Sequence, residues 1–250
     1  MKPCLYLLIT ALFLVSCDQQ EVDASKLVIR IGTTYEVNSD APFTGISLTY
    51  HENGQVEERV TFKGGKQNGL FESYYENGQL EVTVNFRDGL KEGIAEGYNE
   101  YDGTLAYRRN YKNGELDGFS EEYKARGLSS SENYKDGERD SVSETYYSGG
   151  GPLWSRSNYK DGKLDGISES FHKNGQLQVR WNFKDGQVQD GLVEGYFEDG
   201  TLKERTPYKD GERDGIMEMY TRDGTVWVRW DFKDGELIGE CDEPGCTDFN

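Results

Sequence analysis

The sequence predicts an all-β protein, an elongated single-layer antiparallel β-meander built from about eight β-hairpin repeats of about 24 residues. Three series of glycines recur at nearly constant spacing and divide the chain into these repeats. The first-turn glycines are Gly54, Gly78, Gly103, Gly127, Gly150, Gly175, Gly200 and Gly224. The second-turn glycines are Gly65, Gly89, Gly114, Gly137, Gly162, Gly186, Gly211 and Gly235. A fixed period of this size is typical of an array whose units bury apolar surface against their neighbours.

Within each repeat, apolar and polar residues alternate around the first-turn glycine. Counted from that glycine, position −4 is aromatic in seven of the eight repeats, and positions +2, +6 and +8 are mostly aliphatic or aromatic. This alternation is typical of β-strands. Turn residues about every ten positions leave no room for helices of ordinary length.

The first turn is predicted to be a three-residue loop that ends on glycine. Such a loop pairs position −4 with position +2, whereas a two-residue loop would pair −4 with +3. In the second repeat, Glu76, Asn77 and Gly78 would form a type I turn with Gly78 in the left-handed conformation. We therefore expect the aromatic residue at −4 and the aliphatic residues at even positions to share one face of the sheet.

The chain divides into four predicted segments: a lipoprotein signal peptide (1–16), a polar tether (17–26), the repeat domain (27–240) and an acidic tail with a cysteine pair (241–250). A strand or hairpin over 27–37 opens the repeat domain. A third glycine series runs through the repeats and is broken only by Ser141. The pattern is least regular near Tyr98, around Arg126 to Ser131 and at 149–152. An open sheet of about sixteen strands must twist, and its two edges need protection.

Two segments, FESYYENGQL at 71–80 and YKDGKLDG at 159–166, resemble the variant form of the MORN (membrane occupation and recognition nexus) repeat of many bacterial proteins. The segment YEVNSDAPFTG at 35–45 resembles the usual lead-in to those repeats. The resemblance covers about residues 35 to 240. Bacterial proteins with this repeat are often antitoxin components of toxin–antitoxin systems, so the resemblance implies that neutralising a toxin is one possible role.

The N-terminus is typical of a bacterial lipoprotein signal. Lys2 precedes an apolar stretch over 5–15 that is too short to span a bilayer, and Leu14-Val15-Ser16-Cys17 fits the cleavage sequence. We expect Cys17 to be acylated and the protein to be an extracytoplasmic membrane lipoprotein on the periplasmic side of the inner or outer membrane. Asp18 resembles an inner-membrane retention signal. The alternative is an ordinary signal peptide with an incidental cysteine.

The net charge of the chain restricts the kinds of molecule that the repeats could bind. The formal net charge is −18, with 46 acidic against 28 basic residues, which argues against nucleic acid and anionic headgroups as ligands of the repeats. A basic protein partner would suit this surface.

Outside the cytoplasm, Cys241 and Cys246 are expected to form a disulfide across a short Pro-Gly loop. A metal site is the alternative, but two thiols without nearby histidines support it poorly.

The residues favour no catalytic site and no cofactor. His51 and His172 occupy the same repeat position, −3, where other repeats place Tyr, Lys, Phe or Thr, so a structural role is expected. The recurring Asp-Gly loops, such as Asp161 with Asp165, suggest calcium, yet each offers only two carboxylates and suits turn geometry instead. The glutamates at position −6 are expected to form a same-face ladder with Lys or Arg on neighbouring strands. They are Glu72, Glu121, Glu144, Glu169, Glu194 and Glu218.

The candidate binding residues are the four tryptophans, which lie in the second half of the chain: Trp154, Trp181, Trp227 and Trp230. A single-layer sheet leaves part of its aromatic surface uncovered, and exposed aromatic residues favour protein, peptide or glycan contacts. Packing within the sheet is the alternative role for each of them. We expect a non-catalytic, lipid-anchored repeat module for protein binding or scaffolding at the cell envelope. The alternatives are an antitoxin-like protein and an accessory substrate-binding part of an envelope enzyme.

Overall fold

The computed structural model describes residues 20–125, 127–148 and 150–241. Strands account for most of them, and a single 3-10 turn spans Ala24–Lys26. The strands are β1 Glu21–Asp23, β2 Leu27–Arg30, β3 Thr33–Glu36, β4 Gly45–Tyr50, β5 Val56–Lys63, β6 Lys66–Tyr74, β7 Leu80–Arg87, β8 Leu90–Tyr98, β9 Leu105–Lys112, β10 Glu115–Lys124, β11 Gly127–Lys135, β12 Glu138–Arg139, β13 Ser141–Tyr146, β14 Leu153–Lys160, β15 Lys163–Phe171, β16 Leu177–Lys184, β17 Gln187–Val188, β18 Gly191–Tyr196, β19 Leu202–Lys209, β20 Glu212–Arg213, β21 Gly215–Tyr220, β22 Val226–Lys233 and β23 Glu236–Cys241.

From β4 onward, hydrogen-bonded neighbours follow chain order and every pairing is antiparallel. Three strands of the meander are each interrupted once. The interruption divides each of these strands into two segments, β12/β13, β17/β18 and β20/β21. The predicted meander of eight hairpins is therefore confirmed, with β23 following the last hairpin.

The N-terminal edge departs from the simple meander. Strand β1, which lies in the segment predicted as a tether, pairs in parallel with β4, with Val22 opposite Ser47. Strands β2 and β3 form a separate hairpin. A hydrogen bond attaches this hairpin to the first repeat, because the amide of Thr34 donates to the Gly65 carbonyl at 2.9 Å. Short added strands of this kind protect a sheet edge.

Five of the eight first turns have the predicted three-residue loop, whereas the loops of the third and fifth repeats are one residue longer. In the second repeat Tyr74 pairs with Leu80, and the amide of Gly78 donates to the Tyr75 carbonyl at 2.8 Å. Gly78 has a φ of 79°, the left-handed conformation that glycine adopts without steric cost. The fourth repeat is the shortened one, because Lys124 pairs directly with Gly127.

A β-bulge beside every first turn corrects the predicted arrangement of the faces. Tyr74 pairs with Leu80 but Ser73 pairs with Val82, so Glu81 is an extra residue in its strand. The extra residue reverses the alternation, and positions +4, +6 and +8 point away from the face that carries −4 and +2. The expectation that all even positions share one face is wrong. The bulge residues are Glu57, Glu81, Ala106, Ser129, Trp154, Gln178, Lys203 and Trp227.

The sheet thus has two chemically different faces. We call the face with the residues at −8, −6, −4 and +2 the ladder face, and the opposite face the aromatic face. The aromatic face carries ring contacts such as Phe71 with Phe86, whose centroids are 6.1 Å apart, and Trp181 with Tyr208 at 5.4 Å. Its small and aliphatic residues include many of the most buried side chains: Ser47, Val60, Ser73, Val84, Ser120, Val193, Thr206, Met217 and Val228. Most of the apolar core therefore lies on the aromatic face.

The second turns are two-residue loops in which both residues have positive φ. Lys160 pairs with Lys163, and between them Asp161 and Gly162 have φ values of 47° and 76°. This geometry is typical of type I′ hairpins and explains the recurring Asp-Gly and Asn-Gly pairs. The amide of Gly162 also donates to the Arg139 carbonyl of the preceding repeat at 2.9 Å. Equivalent contacts join Gly89 to Gln67, Gly114 to Lys91, Gly137 to Leu116, Gly186 to Leu164 and Gly235 to Arg213.

Ser141 replaces the third glycine of its repeat but keeps the glycine conformation. Its φ is 76°, compared with 106° for Gly118 and 103° for Gly166 at the equivalent positions. A residue with a side chain is strained in this region.

We predict that Ser141→Gly raises the free energy of unfolding by up to about 1 kcal/mol, because relief of the backbone strain exceeds the added entropy of the unfolded chain. Ser143→Gly, two residues further along the same strand, should lower it by about 0.5–1 kcal/mol. Urea unfolding followed by circular dichroism measures both. Destabilisation by Ser141→Gly would contradict the strain at this position.

Candidate functional site

A ladder of ion pairs runs across the ladder face. Each glutamate at position −6 contacts an arginine on an adjacent strand, which confirms the expected same-face ladder. The nitrogen–oxygen distances are 3.4 Å for Arg59–Glu72, 3.0 Å for Arg108–Glu121, 2.8 Å for Arg156–Glu144, 2.7 Å for Arg180–Glu169, 3.4 Å for Arg205–Glu194 and 2.9 Å for Arg229–Glu218. The glutamates are largely covered, so these pairs are less screened by solvent than ordinary surface pairs.

The tyrosines at position −4, and Tyr98 one residue earlier in the third repeat, extend the ladder. The Tyr146 hydroxyl donates to one oxygen of Glu144 at 2.6 Å, while Nε of Arg156 donates to the other at 2.8 Å. The hydrogen bond from Tyr146 lowers the pKa of Glu144, and Arg156 lowers it to a smaller extent. Burial and the adjacent Glu144 carboxylate raise the pKa of Tyr146 to about 12. The same hydroxyl–carboxylate contact joins Tyr98 to Glu96, Tyr123 to Glu121, Tyr196 to Glu194 and Tyr220 to Glu218.

Beside the ladder lies a row of apolar side chains, one from each repeat, which we call the aliphatic row. Each directly follows the third glycine or Ser141, and successive members are two strands, or about 10 Å, apart. The row consists of Ile46, Leu70, Ile94, Phe119, Val142, Ile167, Leu192 and Ile216. Ile94, Ile167, Leu192 and Ile216 are exposed to solvent, whereas Ile46 at the N-terminal edge is buried.

Between the ladder and the aliphatic row, the ladder face is hollowed into shallow depressions. One of about 390 Å³ has apolar walls from Ile167, Leu177 and Leu192, and Arg180 and Glu194 supply its charges. A second, of about 350 Å³, is formed near the first turns by Val56, Arg59 and Tyr74 among others. Open, partly apolar hollows with fixed charges suit side chains of a protein partner better than a small molecule, which needs a more enclosed site.

The structure does not bring the four predicted tryptophans together. Trp154 and Trp227 are bulge residues beside first turns and are 49% and 61% exposed. They lie six strands apart, or roughly 30 Å. Both therefore remain candidates for contact, but as separate points and not as one patch.

Trp181 and Trp230 have packing roles on the aromatic face. Trp181 stacks edge-on against Tyr208 and also contacts Phe183 at a centroid distance of 6.3 Å. The indole nitrogen of Trp230 donates to Glu240 of β23 at 2.9 Å. The Trp181–Tyr208 contact links β16 with β19 across the intervening β18, and the Trp230–Glu240 bond links β22 with β23. Packing therefore explains Trp230, whereas Trp181 also lines the depression of about 390 Å³.

Both histidines link adjacent repeats. Nε2 of His51 donates to the Tyr74 carbonyl at 2.7 Å, and Nε2 of His172 donates to the Tyr196 carbonyl at 2.9 Å. The acceptor is a carbonyl oxygen, so Nε2 carries the proton in each case. At the same repeat position, the hydroxyls of Tyr75 and Tyr147 donate to the carbonyls of Tyr98 and Phe171. This shared contact explains why the position accepts either residue type.

The aspartate carboxylates of the Asp-Gly loops accept hydrogen bonds from donor groups of the protein itself. Nζ of Lys184 donates to Asp165 at 2.7 Å, and this bond lowers the pKa of Asp165. The backbone amide of Asp210 likewise donates to Asp190 at 2.7 Å. Among the described residues, no group of three or more His, Cys, Asp or Glu side chains could hold a metal ion. The carboxylates therefore stabilise the next turn along the edge.

The lipidation and disulfide predictions fall outside the described residues. Cys17 and Cys246 are not among them, and the side chain of Cys241 is likewise not described. None of the described residues form a helical segment that could span a bilayer.

The fold and its surface define a β-hairpin repeat protein, and comparison with protein families gives the repeat type. The MORN repeat variant model matches residues 43–63, 67–88, 164–185 and 189–210. Four segments of the chain thus match the MORN repeat variant, and the structure places further hairpins of similar design between and after them. A search of curated proteins finds no match.

The aliphatic row was missed by the sequence reasoning above, although the sequence contains a signal for it. An aliphatic or aromatic residue follows the third glycine or Ser141 in all eight repeats. Simple strand alternation would place these residues on the same face as the rings at +8, and the bulge places them on the opposite face.

We predict that stability falls between pH 10, the ordinary pKa of tyrosine, and about 12, where Tyr146 ionises in the folded chain. The raised pKa stabilises the fold below pH 10, and this contribution is lost as the folded phenol ionises. Tyr146→Phe should reduce the loss measured by urea unfolding at about pH 7 and about pH 11. Tyr101→Phe, at an exposed ring, is the control and should leave the loss unchanged. Equal losses in the parent and Tyr146→Phe would contradict this assignment.

Proposed function

We propose that this protein is a non-catalytic, lipid-anchored repeat module that binds a protein partner at the bacterial cell envelope. The observation that carries the proposal is the aliphatic row, in which Ile94, Ile167, Leu192 and Ile216 are exposed in register beside the ion-pair ladder. Exposed apolar surface with a charged border is typical of interaction sites. MORN repeats generally serve as protein- or membrane-binding modules, which supports the same conclusion.

The chemistry of the surface indicates the kind of partner. With a net charge of −18, the chain attracts basic proteins over distances of about a Debye length, roughly 8–10 Å. A partner that presents apolar side chains about every 10 Å, flanked by Lys or Arg, would fill successive depressions of the ladder face. Its association rate should fall as salt concentration rises.

The N-terminal sequence supports anchoring. The apolar stretch at 5–15 and Leu14-Val15-Ser16-Cys17 provide the features that a lipoprotein signal requires. Acylation would hold the repeat sheet at the membrane surface, and the repeats would then be free to bind a partner. The anionic repeats themselves are poorly suited to anionic headgroups.

We predict that photo-cross-linking detects the partner on the aliphatic row. A photoreactive phenylalanine at Leu192, irradiated in intact cells, should give a discrete cross-linked product. The same group at Leu90, an exposed leucine beside a second turn, is the matched control and should give little or none. Paired substitutions Ile167→Lys and Leu192→Lys should weaken binding of the captured protein by at least about tenfold. Equal cross-linking at Leu90 and Leu192 would argue against a site on the aliphatic row.

The anchor is tested separately with a radiolabelled fatty acid. The parent chain should incorporate the label, and Cys17→Ala should not, because the thiol is the acceptor of the lipid. Cys241→Ala, which leaves Cys17 in place, is the control and should be labelled like the parent. Equal labelling of the parent and Cys17→Ala would rule out this anchor.

A second candidate function is neutralisation of a toxin, and the strong negative charge favours it because a basic toxin would complement this surface. The lipid anchor limits such a toxin to one that acts in, or enters through, the envelope. If the cross-linked partner inhibits growth when the chain is absent, this second function replaces the scaffolding role.

A further inference from the structure

The tip of the β2–β3 hairpin presents two isoleucines to solvent. Ile29 is 72% exposed and Ile31 is fully exposed. Arg30 pairs with Thr33, so Ile31 and Gly32 form a two-residue loop. Neither isoleucine belongs to a repeat, so the packing of the array does not explain them.

The backbone of the tip is strained as well as apolar. Ile31 has a φ of 50°, a conformation in which a β-branched residue is a genuine outlier. The loop geometry is type I′, which strongly favours Asn at this position. Each second turn of the repeats follows that preference with Asp, Asn or Gly in the first loop position. An isoleucine here therefore costs stability, and such outliers point to a function.

The hairpin is held in a fixed position. Thr34 is buried, its amide donates to the Gly65 carbonyl at 2.9 Å, and its carbonyl accepts from the Phe43 amide at 2.9 Å. The guanidinium of Arg30 lies 5.0 Å from the ring centre of Tyr35 and donates to the Ser39 carbonyl. These contacts therefore hold the hairpin, and with it the tip, in one position relative to the first repeat.

The charge around the tip differs from that of the rest of the chain. The hairpin strands carry one basic residue, Arg30, and one acidic residue, Glu36, although the whole chain carries −18. Lys66 and Asp88 line the hollow beside Ile29, so the charges near the tip are balanced. Arg30 lies 3.7 Å from Asp40, which is fully exposed and so only partly offsets its charge. A nearly neutral, apolar tip suits a membrane surface better than the anionic repeats do.

The tip also lies close in the chain to the proposed anchor. Gln20 is fixed to the sheet, because its carbonyl accepts from the Ile46 amide at 2.8 Å. Only three peptide steps separate Cys17 from Gln20, which bounds their separation at about 10 Å. An acyl chain on Cys17 would hold the N-terminal edge, where β1 and the hairpin lie, against the bilayer.

We propose that the β2–β3 hairpin inserts Ile29 and Ile31 into the interfacial layer of the lipid bilayer. This second contact rests on the proposed lipid anchor and extends it: the lipid supplies attachment, and the hairpin sets the orientation of the sheet. Two attachments at one edge would direct the other end of the array away from the membrane. The inserted side chains need to reach only the boundary between headgroups and acyl chains, about 5–10 Å deep.

The first test uses the full lipidated chain in vesicles of phosphatidylethanolamine and phosphatidylglycerol whose acyl chains carry bromine near the headgroup. Ile31→Trp should add fluorescence that is blue-shifted and quenched by the bromolipids, after subtraction of the parent signal. Ile238→Trp, at an equally apolar exposed position on β23, is the matched control and should not be quenched. Equal quenching at both positions, or none at position 31, would overturn the inference. A photo-cross-link from position 31 to another protein, together with no quenching, would also overturn the inference.

The second test separates membrane contact from stability. Ile31→Asn should raise the urea midpoint, because Asn suits the turn. It should also reduce vesicle partitioning of the chain expressed from Asp18 onward, which has neither the signal sequence nor the acylated cysteine, by about tenfold. Unchanged partitioning would overturn the inference. Acyl labelling of the vesicle sample distinguishes the two proposals. A labelled chain without quenching rejects only the hairpin contact, whereas an unlabelled chain rejects the anchor and the inference that rests on it.

Discussion

The β-bulge beside each first turn is the constraint on which the rest of the structure depends. Without it, strand alternation would place the aromatic residue at −4 on the same face as the rings at +8, and one face would hold all the large apolar side chains. One extra residue per repeat divides them. The aromatic face then packs as the core, and the ladder face combines ion pairs with the aliphatic row. The extra residue in each repeat therefore determines which side chains form the core and which form the proposed binding surface.

The turns fix the period, and hydrogen bonds between repeats keep it in register. Along one edge, second-turn glycine amides donate to the preceding repeat, as Gly162 does to Arg139. Along the other edge, side chains such as His51 and Tyr75 donate to carbonyls of the following repeat. These contacts satisfy backbone groups that would otherwise be exposed at the ends of the strands. Each repeat thus completes its neighbour, as expected for an array with little independent stability per unit.

Most of the fold could be predicted because glycine and Asp/Asn report backbone conformation directly. The loop ending on Gly78, the pairing of Tyr74 with Leu80 and the glutamate ladder all follow from local rules of turn geometry and cross-strand neighbours. The bulges escaped prediction because no single residue type marks them: Glu, Ala, Ser, Gln, Lys and Trp all occur there. The candidate site was predicted less well, since exposure of Trp154 but not Trp181 depends on which face each one occupies.

The direction of the hydrogen bonds also determines how the array would respond to mechanical force. In an antiparallel sheet these bonds are perpendicular to the strands, so in this meander they run along the length of the array. Tension between the two ends of the array, as the proposed anchor and the proposed partner would apply it, would load these bonds one strand at a time. The hairpins would then peel off in sequence at low force, and each would lengthen the chain by a similar increment. A protein built this way behaves as an extensible tether whose length is set by its number of repeats.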